Sequence, residues 1–345
     1  MSGSSLDGVD IAYCEFSFNN SWHYKIVNTQ TVSCSEEWRV ALTEMPYQKG
    51  NKLIEYDIRY GNYLGDLVVK FCDNYKVKPT LIAAHGHTIF HDPGKGFTFQ
   101  LGNGQALAAT TGIKTIADFR IGDIQLGGQG APLVPIGDEL LFSEFDYCIN
   151  LGGIANISFV NKGKRVAFDI CPANQLLNYL SRQMGKSFDE NGNIAQLGKL
   201  NSNLFKALNN HTYYTQLYPK SISNQLVTDT FIKIISDSDA SVEDSLYTVC
   251  KHIAYQINQV IRNDRKSNIL ITGGGAHNNF LITAIQKELM QDVKIPDMLI
   301  VDYKEAMIFA FMGVLRIERK INCLASATGA RKNSSSGVIY DPIIF

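Results

Sequence analysis

Two spacings of apolar residues alternate along this chain, and the switches between them mark its elements. Residues 9–18 and 23–34 are strand-like runs joined at Asn19-Asn20, a pair suited to a hairpin turn. Residues 36–45 and 51–76 take up helical spacing, with Ile54, Ile58, Tyr63, Leu67, Val68 and Phe71 roughly on one face. A buried strand at 80–84 comes next, then a strand at 96–104 that runs into a Gly/Asn turn, a short helix at 105–111 and a strand at 114–117. Beyond 138–144, read as the crossing into a second domain, Tyr147–Leu151 and 154–160 are apolar enough for buried strands. Asn161-Lys-Gly-Lys is a turn, and 166–169 is a further strand that ends on Asp169. Pro172 opens a helix at Asn174–Gln183, because a proline at a first helical position lacks only an N–H that has no partner there. The clearest helix is 241–263. Val242, Leu246, Val249, Cys250, Ile253, Ile257, Val260 and Ile261 form its stripe, and Ser241 with Asp244 resembles a capping box. A strand at Ile269–Thr272, a helix at 305–320 and a short strand at 337–340 complete the pattern.

Strands alternating with helices predict an α/β fold. With 345 residues the chain is too long for one simple core, so two domains are expected, 1–140 and 141–345. Hydrophobic residues at 45% and charged residues at 19% fit a globular protein, and a formal charge of −1 gives no basis for a nucleic-acid or membrane surface. The seven cysteines lack C-x-x-C spacing, which points to free thiols in a reducing compartment and hence the cytoplasm. No apolar run is long enough to span a bilayer.

The candidate chemistry lies in the turns. MSGSSLDGVD packs backbone N–H groups and hydroxyls into a span suited to cradling phosphate. Asp169, beside the Gly152-Gly153 bend and a helix start, suits anion binding or a positioned base; capping of the helix is the plainer alternative. His85, His87 and His91 have a spacing open to metal ligation, but the motif holds no acidic or Cys partner, so a polar loop touching substrate is the stronger reading. Arg120 between Asp118 and Asp123 suits an ion pair or an anion clamp. Three glycines in LGGQGAPLVP, with its two prolines, mark a fixed loop of close approach. Gly273-Gly-Gly after a strand brings backbone against a nucleotide, or makes a plain tight turn. Glu305 is placed at the start of the last long helix.

In this order, MSGSSLDGVD, HGHTIFH, TFQLGNG, DFRIGDIQLGGQGAPLVP, NLGGIANIS, FDICPAN, ITGGGAHN and KEAMIFAF resemble the anhydro-N-acetylmuramic acid kinase family over nearly the whole chain. The resemblance implies a sugar kinase/Hsp70/actin-like, ribonuclease H-like fold: two α/β domains with a nucleotide cleft between them. It implies ATP and Mg2+, and phosphorylation of an anhydrosugar at carbon 6 with hydrolytic opening of its 1,6-bridge. Gly3, Ser4, Ser5, Leu6, Asp7, Gly8, Val9 and Asp10, with Gly152 and Gly153, are the implied phosphate loops, and Gly273, Gly274 and Gly275 lie against adenosine. Asp169 matches the family's general base. His85, Gly86, His87, Thr88, Arg120, Asp123 and Glu305 line the sugar side, with Arg120 suited to the lactyl carboxylate. No dedicated metal cage is implied; Asp7 and Asp10 reach Mg2+ through water. Relatives of this fold are often dimers, so a homodimer is the oligomer to look for.

The chain departs from the family's pattern at His87, Ile170, Cys171, Ala173, Asn178 and the loop 221–225, where SISNQ replaces an STGRE-type sequence. The resemblance also implies a strand ahead of the Ser/Gly turn, without which the sheet is short of a pairing partner. These departures motivate two other readings: a kinase for another 1,6-anhydrosugar such as levoglucosan, and a nucleotide- or sugar-binding relative that has lost turnover.

Overall fold

A ladder of twelve and thirteen residues opens the chain, and each later strand is short. In the computed structural model, which describes residues 1–2, 8–261 and 266–342, the strands are β1 (Gly8–Asn19), β2 (Ser21–Ser33), β3 (Ile82–Ala83), β4 (His87–Asp92), β5 (Phe97–Leu101), β6 (Thr115–Ala117), β7 (Tyr147–Leu151), β8 (Ile154–Asn161), β9 (Lys164–Pro172), β10 (Ile269–Thr272) and β11 (Val338–Tyr340). The chain divides into two units, Met1–Leu141 with Tyr303–Phe345, and Phe142–Asp302. The sequence reading assigned everything after 141 to a second domain, whereas 303–345 belongs with the first. The cause is a long-range pairing that local pattern does not signal: β11 lies antiparallel to β6, with Val338 opposite Ala117.

In the first unit β1 and β2 form an antiparallel ribbon from Gly8 opposite Ser33 to Asn19 opposite Ser21. Asn20 takes the left-handed conformation at its tip. A second sheet runs β11-β6-β3, with β3 parallel to β6, and β4 pairs with β5. The helix Gly50–Tyr75 buries Tyr60, Leu64 and Leu67 against Trp38, Leu101 and Leu107. Ile54 and Ile58, expected on the same face, are exposed instead. The last long helix starts at Met298 rather than at 305, after Pro296-Asp297, and the Asp297 carbonyl accepts the Val301 N–H at 3.1 Å. Glu305 is therefore in the body of that helix and gains nothing from the positive end of its dipole.

This unit holds a cavity of about 470 Å3. Two of its walls are consecutive residues, 9–16 of β1 and 78–86 around β3. A wall of consecutive residues is the edge of a strand, since a face would contribute only alternate ones. Among the named strands β1 is paired only to β2, and β3 only to β6; at the start of β1 Ser2 also bridges Val9. Leu64, Val68 and Phe71 from one helix and Ala306, Ala310 and Val314 from another supply the other walls.

The second unit is built on the sheet β10-β7-β8-β9, with β10 parallel to β7 and the other pairs antiparallel. Its core is organised by the helix Val242–Ile261, whose Leu246, Val249, Ile253 and Ile257 are fully buried. Each contributes roughly 1.5–3 kcal/mol by leaving water. Ser241 accepts the Asp244 N–H through its hydroxyl at 3.1 Å, but the Asp244 carboxylate takes the Lys199 N–H at 2.7 Å, so the capping box is half made. No helix among the described residues is long and apolar enough to cross a membrane.

Candidate active site

Asp169 owes its position to an irregularity in β9. Asn156 lies opposite Asp169 and Ala155 opposite Cys171, so Ile170 is an extra residue in the ladder, a β-bulge. The strand therefore does not end on the carboxylate, as expected; it bends there and runs on to Pro172. The bulge turns Ile170 and Cys171 into the core and leaves Asp169 half-buried. One carboxylate oxygen, Oδ2, accepts the Ile222 backbone N–H at 2.8 Å, and the Asp169 main-chain carbonyl accepts the Tyr213 hydroxyl at 2.5 Å. Burial pushes the Asp169 carboxyl above its ordinary value, and the Ile222 N–H opposes the rise. A carboxylate fixed on one oxygen and raised in pKa is equipped to take a proton from water.

The start of the helix Asn174–Gln183 is closed. Ala173 and Gln175 N–H groups donate to the Gly153 carbonyl, Asn174 to that of Gly152, and Leu176 to that of Ala173. With its first donors engaged, this helix end is not the open anion site that the sequence suggested. Pro172 precedes it as the last strand residue, opposite Ile154, and is not its first helical residue. The departures at Cys171 and Ala173 are accommodated, since neither residue is at positive φ. Asn150 and Leu151, at the end of β7, lie against the Gly-rich loop after β10. Gly273, at φ +83°, passes so close that a Cβ there would lie 2.4 Å from Asn150 Oδ1, and one on Gly275 would lie 2.7 Å from Leu151 Cβ. Asn174 donates through Nδ2 to the Leu151 carbonyl at 3.0 Å. Gly274 alone of the three is exposed, leaving its backbone open to a ligand.

In the first unit Arg120 and His85 meet. Arg120 Nε and Nη2 both donate to His85 Nε2, at 2.9 and 2.7 Å, and Nη1 donates to the Gly130 carbonyl at 2.7 Å. Burial and the guanidinium hold His85 well below the usual imidazole range. Glu305 is accessible to solvent, yet the surrounding protein raises its carboxyl, against the pull of Arg120 and the Met1 amino group. Thr88 accepts from Gln100 Nε2 at 3.4 Å, and Gly86 is at φ +72° with the Leu101 carbonyl against it.

Asp123 is a correction. It is 1% exposed, its Oδ2 accepts the Gly130 N–H at 2.8 Å and its Oδ1 accepts the Thr328 hydroxyl at 2.8 Å. It holds the Gly-rich loop and presents no carboxylate to a sugar. Gly128 is required beside it, because a Cβ would lie 2.1 Å from Asp123 Oδ2. The three histidines of the H-x-H-x-x-x-H run do not converge: His87 meets the Ser2 hydroxyl at 3.1 Å and His91 that of Thr98 at 3.1 Å. No group of three or more His, Cys, Asp or Glu side chains suited to a metal is found among the described residues. Asp10 Oδ1 accepts the Thr31 hydroxyl at 2.7 Å, Val9 is buried, and a Cβ on Gly8 would lie 2.5 Å from the Val32 carbonyl oxygen. Gly3, Ser4, Ser5, Leu6 and Asp7 lie outside the described residues.

Sequence reasoning missed Tyr213, the Ile222 N–H, Asn150, Asn174 and the Gly130 carbonyl. Four of these act through or upon backbone, which leaves no residue-type signal. The loop 221–225, read as having lost family residues, still delivers the Ile222 N–H to Asp169, an interaction indifferent to side chain.

Residues 1–342 match the family model described as anhydro-N-acetylmuramic acid kinase. The anhydro-N-acetylmuramic acid kinase of Aliivibrio fischeri is 34% identical over 366 residues, covering 99% of this chain and 97% of the relative. That of Zymomonas mobilis is 32% identical over 371 residues, covering 99% and 98%. Among solved structures, a ROK family glucokinase from Streptomyces griseus in complex with glucose and AMPPNP has a TM-score of 0.38 at 9% identity, over 82% of this chain and 94% of that one.

Proposed function

The chain belongs to the anhydro-N-acetylmuramic acid kinase family, and we infer that it opens 1,6-anhydro-N-acetylmuramic acid and phosphorylates it at carbon 6, with ATP as donor. The products are N-acetylmuramic acid 6-phosphate and ADP, a step in the recycling of cell-wall sugar. Asp169 takes a proton from water, whose oxygen bonds to the anomeric carbon. The bond from that carbon to the bridging oxygen breaks, and the freed oxygen on carbon 6 bonds to the γ-phosphorus as ADP leaves. The observation that carries this reading is Asp169 itself: a carboxylate set on a bulge, held by one backbone N–H and raised above its ordinary pKa. Such a base contributes on the order of 10²–10⁴-fold.

In the second unit Gly152 and Gly153 serve the phosphates and Gly273–Gly275 the adenosine; in the first, Gly8 and Asp10 at the start of β1 serve the phosphates. Mg2+ would arrive with the nucleotide as part of the substrate, and Asp10 is the described carboxylate that would hold it through water. Arg120 takes the lactyl carboxylate, and Glu305 lies on the sugar side. An ADP-release assay with MgATP tests the reading on 1,6-anhydro-N-acetylmuramic acid, levoglucosan and no sugar. Turnover with the muramic sugar is expected. Turnover with levoglucosan alone moves the substrate, and silence with both overturns the assignment.

A further inference from the structure

We propose that His85 is a positioning residue that aims Arg120 without neutralising it, so that the site selects an acidic sugar over a neutral one. This rests on the kinase reading above and deepens it. A buried guanidinium is commonly held by a carboxylate that matches its fork and cancels its charge. Here the place of the carboxylate is taken by an imidazole. Its tautomer is fixed by its own surroundings: Nδ1 lies 2.9 Å from the Gly86 carbonyl and donates to it, which leaves Nε2 as a lone-pair acceptor. That one lone pair receives both the Nε and the Nη2 donors of Arg120. His85 is 8% exposed and its ring stands edge-on to Phe309 with centroids 4.9 Å apart, which packs it in this orientation.

Arg120 is therefore oriented on two sides, by His85 and by the Gly130 carbonyl, and both partners are uncharged. None of the ion pairs within 4 Å among the described residues involves it. Of its five N–H groups three are engaged, which leaves one on Nη1 and one on Nη2. Those two present a two-pronged donor set and a positive charge, which Glu305 offsets only from beyond ion-pairing distance, and this fits a carboxylate on the substrate better than the neutral hydroxyls of a neutral sugar.

The test is calorimetric binding, without nucleotide, of 1,6-anhydro-N-acetylmuramic acid and of 1,6-anhydro-N-acetylglucosamine, which lacks the lactyl acid. Wild type is expected to prefer the acidic sugar. His85→Gln offers a neutral acceptor and should keep the preference. His85→Glu places a carboxylate against Arg120 and should weaken the acidic sugar by on the order of tenfold or more while leaving the neutral one unchanged. Arg120→Gln, which removes the charge and leaves the imidazole, should abolish the preference and covers the case in which His85→Glu does not fold. A preference that survives His85→Glu in folded protein, or survives Arg120→Gln, overturns the inference alone. A wild type that binds neither sugar overturns it together with the substrate assignment. Equal loss of both sugars in His85→Gln and His85→Glu reduces His85 to packing and also overturns it.

Discussion

Asp169 sets function against stability in a single side chain. Its folded pKa is raised, so the folded state binds the proton more tightly than the unfolded chain does. The stability linked to that proton is fully present below the unfolded pKa and is lost as pH rises through the folded one. At neutral pH the ionised base therefore costs stability. Asp169→Asn is expected to reduce turnover by about 10²–10⁴-fold while the melting temperature at neutral pH stays level or rises. Parallel kinetics and calorimetry check it, and a variant that keeps a tenth of its turnover sinks the base. The same elevation places the acid limb of the pH–rate profile above the ordinary aspartate range. Tyr213→Phe removes the donor to the Asp169 carbonyl; it should lower stability by about 0.5–1.5 kcal/mol and reduce kcat more than it changes KM. An unchanged kcat would assign the hydroxyl to folding alone. Asp169 itself was legible from its motif, but the bulge that aims it was not: register is fixed by pairing with β8, and Ile170 looks in sequence like any strand residue.

Among the elements, the loop that follows Arg120 shows what a Gly-rich motif specifies. Its glycines looked like positions of close approach, and at Gly128 the group approached is the protein's own Asp123. The chain Gly128–Asp123–Gly130–Arg120 passes from packing to the Arg120 guanidinium through the Asp123–Gly130 N–H bond and the Gly130 carbonyl. Gly128→Ala is expected to cost about 1–3 kcal/mol, as overpacking does, and to raise KM for the acidic sugar because the Gly130 carbonyl shifts. Urea unfolding and initial-rate kinetics measure the two effects; an unmoved midpoint would show that Asp123 yields freely. Helix interiors such as Val242–Ile261 were readable because their burial follows one period. The start at Met298 was not, because Met298–Val301 is a continuous apolar run with no helical spacing of its own, and the helix pattern becomes visible only from Glu305.

At the scale of the molecule, the α/β alternation was legible in the residue pattern, and partners supplied from far along the chain, such as β11 for β6, were not. The return of 303–345 to the first unit rests on β11 beside β6 and on a helix whose Ala306, Ala310 and Val314 line the cavity. That cavity has the walls of a place for one more buried strand: two unpaired edges and two apolar helix faces. Its mouth is already in ladder form. Ser2 bridges Val9, the Asp10 N–H donates to the Met1 carbonyl at 2.8 Å, and the Met1 amino group donates to the Asp10 carbonyl at 2.7 Å. Burial lowers the pKa of that amino group. Continued ahead of Met1, the same register would set successive residues against Ile11, Ala12 and Tyr13. An extended segment of Val and Ile joined ahead of Met1 is therefore expected to raise the melting temperature by a few degrees. It should also slow amide exchange across 11–16 and at Ile82 and Ala83. A Lys/Glu segment of equal length should do neither, because the helix faces offer its charges no partners. Equal effects of the two segments, or protection of β1 without β3, would mean that the cavity is an apolar pocket and not a strand's place in the sheet.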